Sequence, residues 1–288
     1  MPPAELLAQD FPFQKYTTAD GLPENRVENI FEDSYGFLWF LSRNGITRFN
    51  GQQMKSYSII EGSQLLYPID ICEDNNGCIW VLTRRGLAKY DGKGFVPYFT
   101  GGEEPVISFS GLFLSKDNRG SLWMPAIDSS GKNLLVMFNG STYNTIVVDN
   151  KIFDKNKDLT LVYSGPDRQL LMLLDNTVYE WNGGDSLKKV SSEKVALLRK
   201  VGDDIIIKTY NGDVYLFEDN TFNRINLKKR SHEFTDAHYI RGQSSDSLTI
   251  TDFKKSYSFR WSYGLAISIH QDSFGTVWIG SENGLYRL

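Results

Sequence analysis

Short apolar runs separated by polar turns characterise the chain from its first fifty residues onward. Four runs rich in aromatic and branched residues cover residues 27–31, 37–41, 46–49 and 54–57. Asp, Asn and Gly punctuate them, and Asn50-Gly51 is a strong hairpin signal because both residues tolerate a positive φ. The pattern predicts four short antiparallel strands. One such sheet cannot bury its own faces, so it requires stacked neighbours.

A turn-and-strand motif, Asp-x-x-Gly-x-x-Trp, recurs four times. The first two copies start 41 residues apart, the next follows after 43, and the last after a further 155 residues. The long gap equals four steps of about 39 residues, a blade-sized period, so three degenerate copies are expected within it. Asp and Gly form the turn, and Trp is expected to wedge between neighbouring sheets. The motif residues are Asp33, Gly36, Trp39, Asp74, Gly77, Trp80, Asp117, Gly120, Trp123, Asp272, Gly275 and Trp278.

These repeats predict an all-β fold, a seven-bladed β-propeller of four-stranded antiparallel blades. We expect one domain over residues 11–288, with blades starting near residues 27, 69, 111, 159, 195, 234 and 266. The sixth blade is the least regular, and its outer strand is not assigned. The last blade lacks a fourth strand, so a strand at 11–17 is expected to complete it and close the ring. Residues 1–10 are interpreted as a disordered tail or a signal-peptide remnant.

Composition narrows the class of function. Of the 288 residues, 41% are hydrophobic, 14% aromatic and 23% charged, with a net charge of −4. The sequence lacks the basic stripe of nucleic-acid-binding domains, and no apolar run approaches the ~18 residues of a membrane helix. The only two cysteines, Cys72 and Cys78, flank the turn of the second motif. They are interpreted as two small buried thiols, with a disulfide across the hairpin as the open alternative.

Residues typical of catalysis are scarce. The three histidines are His232, His238 and His270, and their spacing does not match a zinc site. Residues 154–158 resemble the start of a calcium loop, but the later Gly and Glu are missing, so a solvated turn is favoured. We therefore expect no cofactor, no metal and no enzymatic activity.

The turns between the second and third strands are the expected location of ligand contacts. In a propeller these turns share one face with the connections between blades, where binding residues are usually placed. Arginine, amide and tyrosine side chains there suit a sugar or an anionic glycan. The alternative is that each residue only solvates a loop. The candidates are Arg43, Asn44, Arg84, Arg85, Tyr210 and Asn211.

Two stretches resemble a known family. The first runs from Phe13 and Tyr16 through Asp20-Gly21-Leu22-Pro23 and Asn25 to the first motif. The second is Asp272-x-x-Gly275-x-x-Trp278-Ile-Gly-Ser-x-x-Gly284-Leu-x-Arg287. Both resemble the two-component regulator propeller repeat. The match is specific in the first, second and last blades, fair in the third, and weak over residues 149–263.

The resemblance implies the periplasmic sensor region of a hybrid two-component histidine kinase of Bacteroidetes type. In that family a second propeller and a tyrosine-rich β-sandwich accompany the first propeller, and many relatives detect glycan fragments. It implies a non-catalytic sensor that recognises an oligosaccharide or another extracellular small molecule and signals through downstream domains. From the charge and the lack of a long apolar run, neither a nucleic-acid partner nor membrane contact is expected for this domain. Two alternatives are a scaffold that docks a second propeller or partner protein, and a propeller lyase or hydrolase, for which only His270 is plausibly placed.

Overall fold

The computed structural model describes most of the strands and turns of the chain. It describes residues 13–57, 67–83, 86–98, 114–117, 120–128, 130–131, 133–147, 159–164, 170–174, 176–181, 188–201, 204–218, 221–225, 239–243, 247–251 and 256–288. These residues form two compact units. The first takes in the described parts of Met1–Ile59, Leu66–Pro68 and Lys228–Leu288, and the second those of Ile60–Leu65 and Ile69–Leu227.

Three antiparallel sheets form the first unit. The first repeat contains β2 (Asn29–Glu32), β3 (Leu38–Ser42), β4 (Gly45–Phe49) and β5 (Met54–Tyr57). The sixth contains β22 (Tyr239–Gln243), β23 (Ser247–Thr251) and β24 (Ser256–Arg260). The last contains β25 (Ala266–Gln271), β26 (Val277–Ser281) and β27 (Gly284–Arg287), with β1 (Gln14–Tyr16) added beside β27.

Four antiparallel sheets of four strands belong to the second unit, apart from Pro68. They are β6 (Pro68–Glu73), β7 (Ile79–Thr83), β8 (Gly86–Tyr90) and β9 (Phe95–Pro97); β10 (Ser115–Lys116), β11 (Leu122–Ile127), β12 (Asn133–Phe138) and β13 (Tyr143–Val147); β14 (Leu159–Ser164), β15 (Leu170–Leu174), β16 (Thr177–Trp181) and β17 (Lys188–Lys189); β18 (Val195–Val201), β19 (Asp204–Thr209), β20 (Val214–Glu218) and β21 (Thr221–Ile225). The described residues thus form seven sheets, which is consistent with the predicted blade number.

The second strand of the first two repeats is buried on both faces, whereas the outer strand of the first repeat is partly exposed to solvent. All five residues of β3 are buried, and so are all five of β7. A strand covered on both faces reads as a continuous apolar run, which is the sequence pattern of residues 38–42 and 79–83. In β5 the two middle residues, Lys55 and Ser56, are exposed. The sheets therefore bury their apolar surface between neighbours, as a stacked repeat requires.

The Asp-x-x-Gly-x-x-Trp motif is a hydrogen-bonded turn. Asp33 is buried, and its Oδ1 accepts the N–H groups of Tyr35 and Phe37 at 3.0 and 2.9 Å. Its Oδ2 accepts the indole N–H of Trp39 at 2.8 Å. The same indole bond, at 2.8–2.9 Å, occurs in the other three copies, Asp74–Trp80, Asp117–Trp123 and Asp272–Trp278. One carboxylate therefore fixes both the turn and the large ring that follows it.

Three motif tryptophans wedge between neighbouring repeats, as predicted. In the first unit, the ring of Trp278 lies 5.5 Å from that of Phe40 in the next repeat, centroid to centroid. In the second unit, Trp80 lies 5.2 Å from Phe138, and Trp123 lies 5.6 Å from Trp181. Each tryptophan thus carries aromatic packing from its own sheet to the following one.

The N-terminal strand pairs with the last strand of the chain. Gln14, Lys15 and Tyr16 face Arg287, Tyr286 and Leu285 across an antiparallel ladder. The ring of Tyr16 stacks on Trp278, with centroids 5.9 Å apart and planes 28° apart. This pairing is what closure of the ring by the N-terminal strand requires. The extent of the domain, 11–288, stays a prediction.

A short capped turn explains the polar run from Thr17 to Asn25 that follows this strand. Residues Thr18–Asp20 form a 3-10 turn in which Thr17 and Asp20 cap each other, the Thr17 N–H donating to Asp20 Oδ2 at 2.7 Å. Gly21 ends it at φ 108°, a conformation that favours glycine. Asn25 Oδ1 accepts the Thr18 N–H at 2.9 Å. The run from Thr17 to Asn25 therefore serves to lead the chain from β1 into the first sheet.

Candidate ligand-binding turns

Arg43 and Asn44 form the turn between β3 and β4, and both are exposed. The Arg43 side chain is 54% exposed, and its Nε donates to Glu28 Oε1 at 2.9 Å. The same oxygen accepts Arg26 Nε at 3.0 Å, and Arg26 Nη1 donates to Glu282 Oε1 at 3.0 Å. The bond to Glu28 raises the pKa of the Arg26 guanidinium further, so it stays charged. Two arginines and two carboxylates are thus linked in a chain at this end of the first unit.

Glu28 and Glu282 balance the charge of the two arginines. An anionic group that binds Arg43 must therefore compete with Glu28 for the guanidinium. Among the described residues, Glu28 contacts the Arg43 guanidinium through Nε, which leaves its exposed Nη groups able to donate further hydrogen bonds. The turn can donate to sugar hydroxyls without breaking the ion pair.

Tyr210 and Asn211 form the corresponding turn between β19 and β20 in the second unit. Tyr210 is 66% exposed, yet its hydroxyl donates to Asn176 Oδ1 at 2.9 Å and its N–H donates to Lys194 O at 3.4 Å. Asn176 holds a left-handed backbone, at φ 60°, in the equivalent turn of the preceding repeat. The ring is consequently held through its hydroxyl, and its backbone through the N–H. It presents an exposed aromatic face, with the exposed Asn211 amide beside it in the chain. Such a surface can stack on a sugar ring.

Several predicted residues lie outside the described residues or in different units. Arg84 and Arg85 lie outside them, as do His232, His238 and residues 154–158. Arg43 and Asn44 belong to the first unit, while Tyr210 and Asn211 belong to the second. The structure therefore places two predicted pairs in turns of the expected type. Their role in binding stays a prediction.

At the opposite end of the first unit, Glu32 connects the first and last repeats. Its Oε1 accepts the Ser273 hydroxyl at 2.6 Å, and its Oε2 accepts the Ser273 N–H at 2.8 Å. The Nε2 of His270 lies 3.4 Å from Oε2. No local sequence pattern reveals this cluster, because Glu32 and Ser273 are 241 positions apart.

The arrangement around Glu32 differs from a serine–histidine–acid triad. In a triad the histidine bonds to the nucleophilic hydroxyl and the acid orients the histidine. Here the Ser273 hydroxyl donates to the carboxylate itself. Among the described residues, no three His, Cys, Asp or Glu side chains are grouped so that they could hold a metal ion.

The two cysteines are free thiols. Cys72 lies in β6 and is buried, while Cys78, directly before β7, is partly exposed. Burial raises the pKa of the Cys72 thiol well above its ordinary value, so the group stays protonated. The structure thus has two free thiols and not the disulfide, as the sequence favoured, but the prediction that both are buried is wrong for Cys78.

The family model of the two component regulator propeller matches residues 21–44, from the capped turn through the first motif to Asn44. The predicted resemblance to this family is confirmed. The match covers the turn that carries Arg43 as well as the Asp33–Trp39 hydrogen bond. No curated protein matches the sequence.

Solved structures extend the likeness to nearly the whole chain. The extracellular domains of the hybrid two component systems BT3049 and BT4673 from B. thetaiotaomicron match 96% of it, at 21% and 17% identity and TM-scores of 0.58 and 0.62. The chain spans about two fifths of those domains, 41% and 42%. A catalytically inactive virginiamycin B lyase from Staphylococcus aureus, with quinupristin, matches 96% of this chain over 98% of its own at 11% identity, with a TM-score of 0.61.

At these identities the solved structures establish the fold. The predicted all-β propeller is confirmed by the sheets and by these neighbours, whereas the function of a neighbour does not transfer with its fold. In the part of the chain that is described, no helix is both long and apolar enough to cross a membrane.

Proposed function

We propose that this chain is a non-catalytic, ligand-sensing propeller of a two-component regulator. The observation that carries the proposal is the two component regulator propeller match at residues 21–44. It is supported by the extent of the likeness to extracellular domains of hybrid two component systems, which takes in 96% of the chain. The repeat residues themselves build turns and packing, so sensing must use the side chains that project from the turns.

The proposed location is the periplasm, as the extracytoplasmic part of an inner-membrane protein. The extracellular placement of BT3049 and BT4673 supports it. The proposed partners within the parent protein are a second propeller and a tyrosine-rich β-sandwich. The chain spans only about two fifths of the matched extracellular domains, which leaves room for further domains in proteins of that kind.

The proposed ligand is a glycan or another extracellular small molecule that contacts the turns between second and third strands. Tyr210 supplies the best-supported contact, because its ring is exposed and fixed by the bond to Asn176. In the first unit, Arg43 is a separate candidate contact, because it is a half-exposed cationic donor. Aromatic faces and planar donors of this kind bind sugar rings and hydroxyl groups.

One observation favours a lyase as the second candidate. Virginiamycin B lyase shares the fold over nearly its whole length. A lyase would need a general base beside its substrate, and His270 near Glu32 is the described imidazole that could serve. Sensing is preferred because the matched family model is that of a regulator propeller, whereas the lyase shares only the fold, at 11% identity.

A thermal-shift experiment tests the proposal. The protein is heated with individual neutral oligosaccharides, uronic acid oligosaccharides and divalent metals. A ligand present at about 100 times its Kd stabilises the folded state by ~2.7 kcal/mol, which is readily detected. We expect stabilisation by at least one saccharide, reduced in Tyr210→Ala. No stabilisation by any saccharide would contradict the proposed ligand class.

A further inference from the structure

Two aromatic rings project into solvent from the same position of the Asp-x-x-Gly turn in the first and last repeats. Phe274 is 87% exposed and Tyr35 is 76% exposed, the highest values among the exposed large apolar side chains of the described residues. Each stands directly before the turn glycine. They lie at the end of the repeats that holds Glu32, not in the turns between second and third strands.

The backbone beneath each ring is fixed even though the ring is exposed. The Tyr35 N–H donates to Asp33 Oδ1 and the Phe274 N–H donates to Asp272 Oδ1, each at 3.0 Å. Both aspartates are buried and held by the indole of their own tryptophan. The two rings are therefore carried on rigid turns, which reduces the entropy lost when a ligand stacks on them.

Hydrogen bonds across the repeat boundary join the two turns. Ser273 precedes Phe274, and its N–H and hydroxyl both bond to the carboxylate of Glu32, which precedes Asp33. His270 adds an imidazole 3.4 Å from the same carboxylate. Polar groups that can bond hydroxyls thus lie at the junction of the turns that carry the two aromatic rings.

We propose that Tyr35 and Phe274 form a saccharide-binding platform at this end of the first unit. The pairing of exposed aromatic faces with a few polar groups is the chemistry of a sugar site, where C–H surfaces stack and hydroxyls bond. Two aromatic side chains offer at most about 500 Å². A stable protein interface needs about 800 Å² from each partner, so the pair alone suits a small ligand.

Charge selects the class of saccharide. Glu32 places a carboxylate at the junction of the two turns, and its partner His270 offers a positive charge only when protonated. A uronic acid would bring a second carboxylate next to it, which like-charge repulsion disfavours. The ligand class is therefore a neutral oligosaccharide. The inference rests on the proposed function only in taking a saccharide as the ligand. The site itself differs from the turns between second and third strands.

The second repeat supplies a matched replacement for the two rings. It carries Asn76 at the same turn position, and the Asn76 N–H makes the equivalent bond to Asp74 Oδ1 at 2.8 Å. The double variant Tyr35→Asn, Phe274→Asn therefore keeps a turn that this fold already uses. Val96→Asn, which removes an exposed apolar side chain from the outer strand β9, is the control for loss of apolar surface.

The test measures binding of four neutral sugars (cellohexaose, xylohexaose, maltohexaose and mannohexaose) and of one uronic acid oligosaccharide (hexagalacturonic acid), each alone, by saturation-transfer NMR. We expect the wild type and Val96→Asn to bind at least one of the neutral sugars. The double variant should bind it at least about tenfold more weakly, a change of 1.4 kcal/mol, with an unchanged Tm. If the double variant has a lower Tm than the wild type, binding is measured with the two single variants instead. Each single variant is expected to weaken binding.

Three results would overturn the platform. Equal binding by the wild type and the double variant, with loss in Tyr210→Ala, would place the sugar in the other turns and leave the proposed function standing. Binding of uronic acid oligosaccharides alone would also refute the platform but not sensing. Self-association of the wild type in sedimentation, abolished in the double variant without any sugar binding, would assign the rings to an interface between copies.

Discussion

The indole Nε1 of Trp39 donates a 2.8 Å hydrogen bond to Oδ2 of Asp33, six residues earlier. The other oxygen of that carboxylate holds the turn between them. Asp and Trp therefore recur together in the motif because the turn and the indole ring bond to the same carboxylate. Neither residue is free to contact a ligand.

Replacing Asp33 by Ala should destabilise the protein by about 3 kcal/mol, because a buried indole N–H and two backbone N–H groups lose their acceptor. Urea unfolding followed by tryptophan fluorescence measures this. Asp91→Ala is the control, since Asp91 accepts the Lys93 and Gly94 N–H groups in an exposed turn where water can replace it. Equal losses in the two variants would contradict the role assigned to Asp33.

Gly280→Ala should cost about 1–3 kcal/mol through overpacking. A Cβ at this position would lie 2.7 Å from the carbonyl oxygen of Val27 and collide with the Ser268 hydroxyl. Gly94→Ala is the matched control, because a Cβ there meets nothing within 4 Å. Differential scanning calorimetry should show a lower Tm for the first variant alone, and a tolerated Gly280→Ala would show that the last and first repeats are packed more loosely.

Tyr16→Ala should destabilise the protein by about 2 kcal/mol, because the half-buried ring that stacks on Trp278 is lost. Gln14→Ala, an exposed residue of the same strand, should have little effect. Chemical denaturation of both variants measures the change in the free energy of unfolding. A Tyr16→Ala protein as stable as the wild type would mean that the stack of Tyr16 on Trp278 contributes nothing to stability.

The cysteines should differ in reactivity with a thiol reagent at pH 8. Burial holds the pKa of Cys72 well above its ordinary value, so the reactive thiolate is not formed in the native protein. Cys78 is partly exposed and should be modified first, and Cys72 only after unfolding. Mass spectrometry of the modified peptides identifies the order, and recovery of a disulfide-linked pair would contradict the free thiols.

Local signals in the sequence were enough for the architecture. The apolar run at 37–41 became β3, Leu38–Ser42, because a buried central strand and its flanking turns are encoded by adjacent residues. The predicted strand at 11–17 likewise contains β1. The spacing of Asp33 and Trp39 predicted a turn and a wedge, although not the hydrogen bond between them.

The site was harder to predict than the fold. Arg43 and Tyr210 were found because their turn positions repeat, but their partners, Glu28 and Asn176, are set by neighbouring strands and repeats. The Glu32–Ser273 bonds join the first and last repeats, and a periodic pattern shows only what repeats share. The exposed rings of Tyr35 and Phe274 lie at variable positions of the motif, whose recurring residues predict structure alone.

The central claim is tested most directly by equilibrium dialysis of the protein against a mixture of neutral and uronic acid oligosaccharides. Mass spectrometry then identifies the retained and the free sugars. A non-catalytic sensor is predicted to retain a defined saccharide, and that saccharide is recovered chemically unchanged. Appearance of shortened or unsaturated products, dependent on His270, would contradict this prediction and establish the lyase or hydrolase instead.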